Sequence, residues 1–393
     1  MEKTWRWFGP ADKVTLEMLR QIGVEGVVTA LHNHAPGELW PEEEIRAMQA
    51  RIASAGLRWS VVESLPVSEE IKYAGPRRDA LIETYRESLA NLGRCGIHTV
   101  CYNFMPVIDW VRTDLERPLP DGTLSLYFDY VRFAWFDIKI LGREGAERDF
   151  PPEVVERVEA LDRTATPADR AQIIDTIITK TQGFVNGPLG GEGSPVEKFR
   201  ALMAPYKGMT KAQLRDNLRY FLEAVMPVCR EWDIRLCIHP DDPPMPVFGM
   251  PRLCCDAEDI RWILGAVDDF HNGLTFCAGS LSAGAHNDVE AMAREFAPRT
   301  HFVHLRSCDL LPGGDFVEAP HTAGRVDLVE LVRIFEAEGR DLPMRVDHGK
   351  TMLGDERIGY NPGYSFHGRM LALGQVEGMM AAVRNEHNNN RKI

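Results

Sequence analysis

The sequence predicts one α/β domain, a TIM-type (β/α)8 barrel that spans residues 1–393. Eight short apolar runs alternate with amphipathic stretches of helical period, and eight βα units close naturally into such a barrel. The runs are apolar on both faces, which is typical of parallel strands covered on both sides. Four successive runs also end in a side chain that can bind a metal. A doubly wound open sheet is the alternative, but the GxGxxG motif expected after its first strand is missing.

The first four predicted strands lie near the start of the chain. Each of the first three is followed by a stretch with helical spacing of apolar residues, so that strand and helix alternate. The four runs are KTWRWF at 3–8, VEGVVTAL at 24–31, LRWSVVESL at 57–65 and IHTVCYNFM at 97–105.

The last four predicted strands lie in the second half of the chain. They are IRLCIHP at 234–240, GLTFCAGS at 273–280, THFVHLRS at 300–307 and PMRVDHG at 343–349. Helical patterns separate them near 257–268, 286–296 and 326–339. The alternation therefore continues to the eighth strand.

About 130 residues separate the fourth and fifth predicted strands, far more than one crossover helix needs. We predict a helical insertion at 112–215, in a βα loop on the catalytic face. We interpret its helical part, 125–215, as either a lid or an oligomer contact, and a homo-oligomer is compatible with the second interpretation. The glycine-rich stretch 186–195 is expected to be a mobile linker. The polar tail at 381–393 is expected to fray.

The charge balance argues against nucleic acid as a partner. The chain has 45 Lys and Arg against 58 Asp and Glu, a net charge of −13, and no run of five or more basic residues.

No apolar run is long enough to cross a membrane, and the N-terminal MEKTWRWFGP lacks the apolar stretch of a signal peptide. Eight cysteines without a CxxC pair indicate thiols or metal ligands rather than disulfides. We expect a cytoplasmic protein that acts on a small molecule.

A metal site is predicted at the C-terminal ends of the last four strands. His239 lies in CIHPDDPP, Cys277 in TFCAGS, His304 in FVHLRS and Asp347 in MRVDHG. In a barrel such strand ends converge on one mouth. Two imidazoles, a thiolate and a carboxylate are enough to bind a divalent ion.

Strand alternation predicts two arginines at the same mouth. Arg306 shares a strand face with His304, and Arg345 shares one with Asp347. Two guanidinium groups beside a metal suit a carboxylate substrate. The alternative is that they pair with acidic neighbours such as Asp241, Asp242 or Glu63.

Two side chains after the last strand are candidates for proton transfer. His348 projects differently from its neighbour Asp347, and imidazole is suited to acid/base chemistry near neutral pH. Tyr364, in NPGYS, lies on a loop and is a second acid/base group or hydrogen-bond donor; an aromatic anchor of that loop is the alternative.

Groups near the first four strands can form the opposite wall of the site. Trp5, Arg6 and Trp7 offer aromatic surface and one cation. Candidates for binding the hydroxyls of a polyol are Thr29, His32, Glu63, Tyr102 and Asn103. Together with a divalent ion and acid/base groups, these features suit proton abstraction next to a carboxylate with loss of a β-hydroxyl. The same groups suit an aldose–ketose isomerisation, which composition does not separate from dehydration.

Long motifs along the whole chain resemble those of one family. They are TWRWFGP at 4–10, GVVTALH at 26–32, WSVVES at 59–64, CYNFMPVIDW at 101–110, HPDDPP at 239–244, VHLRS at 303–307, VDHG at 346–349 and NPGYS at 361–365. With these motifs the chain resembles the D-mannonate dehydratase family of hexuronate catabolism, from its first residues to about 380.

The resemblance implies a xylose-isomerase-like TIM barrel that converts D-mannonate to 2-dehydro-3-deoxy-D-gluconate with Mn²⁺ or Fe²⁺. The family's metal ligands fall on His239, Cys277, His304 and Asp347, and its acid/base candidates on His348 and Tyr364. We add Arg306 to the catalytic set and assign substrate binding to Arg6, Trp7, His32, Asn103 and Arg345. A zinc-loaded form is expected to be inactive. A metal-dependent sugar or sugar-acid isomerase or epimerase on the same barrel is the alternative function.

Overall fold

A closed barrel of parallel strands forms the centre of the protein in a computed structural model that describes residues 1–182 and 193–390. The strands in these residues are β1 Glu2–Arg6, β2 Gly26–Thr29, β3 Arg58–Glu63, β4 Thr99–Tyr102, β5 Asp114–Pro118, β6 Leu124–Phe128, β7 Arg235–Ile238, β8 Asn272–Cys277, β9 Thr300–His304, β10 Cys308–Leu310, β11 Phe316–Glu318 and β12 Pro343–Arg345. Eight of them close the barrel in the order β1-β12-β9-β8-β7-β4-β3-β2, with every neighbouring pair parallel. These eight coincide with the eight predicted runs, so the predicted barrel is confirmed.

Helices surround the barrel and connect its strands. They are α1 Leu16–Gln21, α2 Glu42–Ser54, α3 Glu69–Lys72, α4 Arg78–Arg94, α5 Tyr130–Trp135, α6 Pro152–Thr164, α7 Pro167–Ile174, α8 Pro195–Met203, α9 Lys211–Glu231, α10 Ala257–Ala266, α11 Ala278–Ser282, α12 Val289–Phe296, α13 Leu328–Ala337, α14 Asp355–Ile358 and α15 Phe366–Asn390. Within the part of the chain described, no helix combines the length and apolar character that crossing a membrane requires.

The sequence explains how a long helix such as α9 forms. The Thr210 hydroxyl accepts a hydrogen bond from the backbone N–H of Gln213, and the Gln213 side-chain oxygen accepts one from the backbone N–H of Thr210, so both backbone donors are satisfied. Leu214, Leu218 and Phe221 then recur at helical spacing and are fully buried. The apolar stripe therefore holds α9 against the barrel.

The interior of the barrel below the mouth is filled by a small apolar cluster. Val28, Val61, Cys101, Cys237 and Phe302 contribute one side chain each from five of the strands. This cluster closes the barrel below, because a barrel of eight strands is a packed core and not a pore. Functional groups are therefore restricted to the mouth.

The insertion between β4 and β7 contains strands that the sequence analysis did not predict. β5 and β6 form an antiparallel hairpin, and β6 pairs with β11, which pairs with β10. We call these four strands the accessory sheet. Residues 124–128, part of a stretch predicted to be helical, are extended because β6 pairs with β11 about 190 residues further along the chain.

The helical part of the insertion packs around its own apolar cluster. The aromatic side chains of Phe133, Phe136 and Phe199 meet Phe248, which lies in the loop after β7. The insertion is thus attached to the catalytic face of the barrel. Most of the glycine-rich stretch 186–195 lies outside the described residues.

The C-terminal helix α15 packs along the first strand of the chain and extends into the polar tail. Residues 381–390 of the tail continue this helix, and Arg384 binds Glu336 at 2.8 Å. Trp5 of β1 packs against Phe366 of α15, with ring centroids 6.1 Å apart.

Gly368, in the first turn of α15, lies against the loop that follows β12. A Cβ atom at this position would come within 1.7 Å of the Lys350 carbonyl oxygen. We therefore expect G368A to lower the free energy of unfolding by about 1–3 kcal/mol, because backbone must move to admit one methyl group. Urea denaturation measures this change.

The matched control for that prediction is G374A in the same helix. A Cβ atom at Gly374 meets nothing within 4 Å, so alanine should leave stability unchanged or raise it by about 0.5–1 kcal/mol. An unfolding midpoint of G368A at or above that of the unmodified chain would contradict the close packing of α15 on this loop.

Candidate metal centre and active site

The four predicted metal ligands meet at the C-terminal mouth of the barrel. His239 follows β7, Cys277 ends β8 and His304 ends β9, and their ligand atoms lie within 4.8 Å of one another. Asp347, two residues beyond β12, brings its Oδ2 atom to 3.6 Å from Cys277 Sγ and 3.8 Å from His304 Nδ1. All four side chains therefore surround one small space.

Strand register and local backbone place these groups. Cys277 is in register with His304, and His304 is in register with Arg345 on the next strand. Asp347 has a φ of 57°, a left-handed conformation that is uncommon for residues other than glycine and is often found at functional sites. His239 Nδ1 donates a hydrogen bond of 2.7 Å to the Pro240 carbonyl, which leaves Nε2 as the nitrogen that would bind a metal once its proton is displaced.

The charges of these groups suit a divalent cation. Burial lowers the pKa of His239, but the Cys277 sulfur opposes this effect and raises the pKa to about 10. Burial would raise the pKa of Asp347, but the Arg345 guanidinium, with help from His348 and Arg306, holds it well below its ordinary value. Negative charge is therefore held on the Asp347 carboxylate.

One buried atom is left without a hydrogen bond at the centre of this group. His304 Nδ1 is fully buried, and no hydrogen-bond partner for it exists among residues 1–182 and 193–390. Burial, together with Arg345, holds the pKa of His304 well below its ordinary value, so the ring is neutral, and its Nε2 accepts a hydrogen bond of 3.0 Å from Arg345 Nε. The residues present thus fit a divalent ion with mixed nitrogen, sulfur and oxygen ligands.

A cavity of about 620 Å³, including its open mouth, lies beside the metal ligands. The predicted residues that line it include His348, Tyr364, Arg306, Arg345, Arg6 and Asn103. Trp7 and His32 do not line this cavity. His32 is buried beside Phe8, at 6.1 Å between ring centroids, and burial, with help from Arg6, lowers its pKa to about 4. The structure therefore brings six of the eight catalytic and substrate-binding candidates to one cavity.

The arginines at the mouth are paired with protein carboxylates, as the structural alternative in the sequence analysis expected. Arg306 binds Asp347 at 2.5 Å and Asp242 at 2.6 Å, and its third nitrogen is 3.1 Å from Glu318. Arg345 binds Glu63 and Asp347. All three nitrogens of Arg306 are thus used within the protein.

Arg6 differs from these two arginines. Its Nη1 atom is 3.2 Å from Glu63 Oε2, and its buried Nε atom has no hydrogen-bond partner in the described part of the chain. Arg6 therefore retains N–H groups for an anionic ligand in the cavity.

His348 and Tyr364 lie side by side at the edge of the metal ligands. Their rings are 5.2 Å apart in an edge-to-face arrangement, and His348 also packs against Trp110. The Tyr364 hydroxyl is 3.5 Å from Asp347 Oδ1, and burial raises the pKa of Tyr364 to about 12. His348 Nδ1 is 2.9 Å from Glu318 Oε1.

Several charged residues of the site were not predicted. Glu318 contacts His348 and Arg306, and Arg112 binds Asp242 with two hydrogen bonds of 2.7 and 3.2 Å. Glu318 lies in β11, which has no sequence signal of its own, whereas Arg112 lies two residues after the end of the motif CYNFMPVIDW. Only the latter position could have been suspected from the sequence.

Comparison with known proteins identifies the family. The family model described as "D-mannonate dehydratase (UxuA)" matches residues 1–390. The chain belongs to the D-mannonate dehydratase family. Two mannonate dehydratases, from Marinomonas sp. (strain MWYL1) and Chromohalobacter salexigens, are each 43% identical over 98% of this chain and 99% of their own length.

Solved structures agree with membership of the D-mannonate dehydratase family. The crystal structure of mannonate dehydratase from Streptococcus suis serotype2 has a TM-score of 0.79 at 33% identity and covers 98% of this chain and 96% of that one. A D-tagatose 3-epimerase-like protein, at 10% identity and a TM-score of 0.51, shares only the fold. As a member of the mannonate dehydratase family the chain is a hydro-lyase of carbohydrate catabolism, and dehydration is favoured over the isomerase or epimerase alternative.

Proposed function

We propose that the chain dehydrates D-mannonate to 2-dehydro-3-deoxy-D-gluconate in the cavity at the barrel mouth. The observation that carries this proposal is the position of the His348–Tyr364 pair beside a set of metal ligands, on one cavity with a cation, Arg6, that has N–H groups to spare. Elimination next to a carboxylate needs these parts together: an anion binder, an acid and a base.

His239, Cys277, His304 and Asp347 would hold Mn²⁺ or Fe²⁺. When bound, the ion supplies positive charge that stabilises the negative charge developing on the substrate carboxylate. Arg306 keeps Asp347 ionised and in place through its 2.5 Å contact, and acts through that residue because its nitrogens are all bonded to protein. A cysteine ligand favours softer ions, whereas the carboxylate ligand favours Mn²⁺.

His348 and Tyr364 would carry out the two proton transfers of the reaction. One group removes the C2 proton, and the other protonates the C3 hydroxyl as its bond to carbon breaks and water leaves. Rings 5.2 Å apart can address neighbouring carbons of one substrate. Each proton transfer by a positioned side chain contributes roughly 10²- to 10⁴-fold to the rate.

The remaining predicted residues would bind or enclose the substrate. We assign the substrate carboxylate to Arg6 and a hydroxyl to Asn103, which both line the cavity. Arg345 also lines it, but its three nitrogens bind His304, Asp347 and Glu63, so it would act mainly by holding those groups in place. Trp7 and His32 are buried and do not line the cavity, and we assign His32 to the support of Phe8 rather than to direct contact with substrate.

Reconstitution of the metal-free chain under anaerobic conditions tests the proposal. We expect Mn²⁺ or Fe²⁺ to restore formation of a 2-keto acid from D-mannonate, and Zn²⁺ to bind without restoring it. Formation of a ketose or an epimer, with no 2-keto acid under any of the three ions, would contradict the proposed reaction.

We place this activity in the cytoplasm. Cys277 must stay reduced to bind the ion, and a reducing compartment protects it from oxidation. The other seven cysteines are thiols in the structure as well.

A further inference from the structure

Glu318 connects the accessory sheet to the proposed acid/base pair. It is the last residue of β11, outside the barrel, and its side chain is buried. Its Oε1 atom is 2.9 Å from His348 Nδ1, 2.7 Å from Arg112 Nη2 and 3.1 Å from Arg306 Nη1. Three groups from three different segments therefore meet at one carboxylate oxygen.

These contacts determine which nitrogen of His348 carries a proton. The two guanidinium groups can only donate, so they keep the Glu318 carboxylate ionised and able only to accept. His348 Nδ1 must then donate its N–H to this oxygen. The neutral ring is left with the lone pair on Nε2, the nitrogen on the side of Asp347, whose Oδ1 is 3.8 Å away.

The position of Glu318 is itself fixed by the accessory sheet. Ser125 of β6 donates a hydrogen bond of 2.9 Å to the Glu318 carbonyl. Arg112 is held by its two hydrogen bonds to Asp242, and its guanidinium lies 4.8 Å from the centre of the Phe316 ring. The carboxylate is thus presented to His348 by a rigid support.

We propose that Glu318 is the positioning residue for His348, holding the imidazole in one tautomer and one orientation for proton transfer. Glu318 does not line the cavity, so it acts through His348 and touches no substrate. This inference rests on the proposed function, in which His348 is one of the two proton-transfer groups. The accessory sheet would then contribute to catalysis, because it holds the Glu318 carboxylate beside His348.

The variant E318Q tests the inference because the amide has nearly the same shape but no charge. With the metal-loaded chain and D-mannonate, we expect kcat to fall by about 10- to 100-fold, KM to change by less than about threefold, and metal content to stay the same. E116Q is the matched control: Glu116 lies on β5 of the same sheet, where it accepts a hydrogen bond from Tyr360 and does not contact His348.

A second variant keeps the buried charge in balance. E318D retains the negative charge beside Arg112 and Arg306, so it should fold even if E318Q does not. Its side chain is one methylene group shorter, which lengthens the contact with His348. We again expect a loss in kcat with unchanged metal content and little change in KM. A kcat within twofold of the unmodified chain in E318D or E318Q would overturn the inference.

The double variant E318Q/H348N shows whether Glu318 acts through His348 or whether its replacement disturbs the active site in some other way. If Glu318 acts only through His348, adding E318Q to H348N should cost nothing further, whereas additive losses would overturn the inference. Loss of turnover in H348N with normal turnover in E318Q would remove the role of Glu318 alone. Normal turnover in both variants would contradict the proposed function itself.

Discussion

The variant H348N is expected to lower kcat for D-mannonate dehydration by roughly 10²- to 10⁴-fold, the usual contribution of one acid/base group. Asparagine can place an amide N–H near the position of Nδ1, so the contact with Glu318 and the packing against Trp110 should largely survive. What is lost is Nε2, the nitrogen available for proton transfer. Steady-state kinetics of the metal-loaded variant measure the effect.

The matched control for H348N is H286N. His286 is an exposed histidine in the loop after α11, and it does not line the cavity. We expect H286N to keep full turnover and H348N to keep its metal content and its unfolding midpoint. Turnover of H348N within tenfold of the unmodified chain would exclude His348 from proton transfer.

Loss of the sulfur ligand is expected to have an effect of similar size, but on metal binding. In C277S the serine hydroxyl is neutral near pH 7, so the site loses a negative ligand between His239 and Asp347. We expect metal affinity to fall by more than about 100-fold. This loss is larger than the loss usually seen when a residue that only hydrogen-bonds to a metal ligand is replaced. Metal content after dialysis, measured beside D-mannonate turnover, gives both results.

Excess metal provides the internal check on C277S. Turnover should recover in part as Mn²⁺ is raised, because three ligands and the acid/base pair remain. C95S is the matched control, since Cys95 lies at the end of α4 and far from the mouth in the barrel's architecture. A C277S protein that retains a full equivalent of metal through dialysis would show that Cys277 is not a ligand.

The barrel could be predicted from the sequence because its strands are locally encoded. Each barrel strand is a run apolar on both faces, and each lies in a repeated unit with the following helix, so local pattern and tertiary position agree. The accessory strands carry no such signal. β10 and β11 are three residues each, and β6 is extended only because β11 pairs with it from a distant part of the chain.

The residues of the candidate site likewise fall into those that the sequence predicts and those that it does not. His239, Cys277, His304 and Asp347 could be selected because they terminate successive strands, and strand ends in a barrel face one mouth. The pairing of Arg306 could not be decided, because its partners come from three separate segments. Glu318 was missed entirely, since its importance depends on the unpredicted strand that carries it.

The chain's beginning and its end contribute to the same cavity. Arg6 comes from the first strand and Tyr364 from the loop before the last helix, and closure of the barrel requires β1 to pair with β12. During synthesis on a ribosome, the N-terminal strand must therefore wait, with an unpaired edge, until more than 340 residues have emerged. The nascent polypeptide therefore cannot acquire activity gradually.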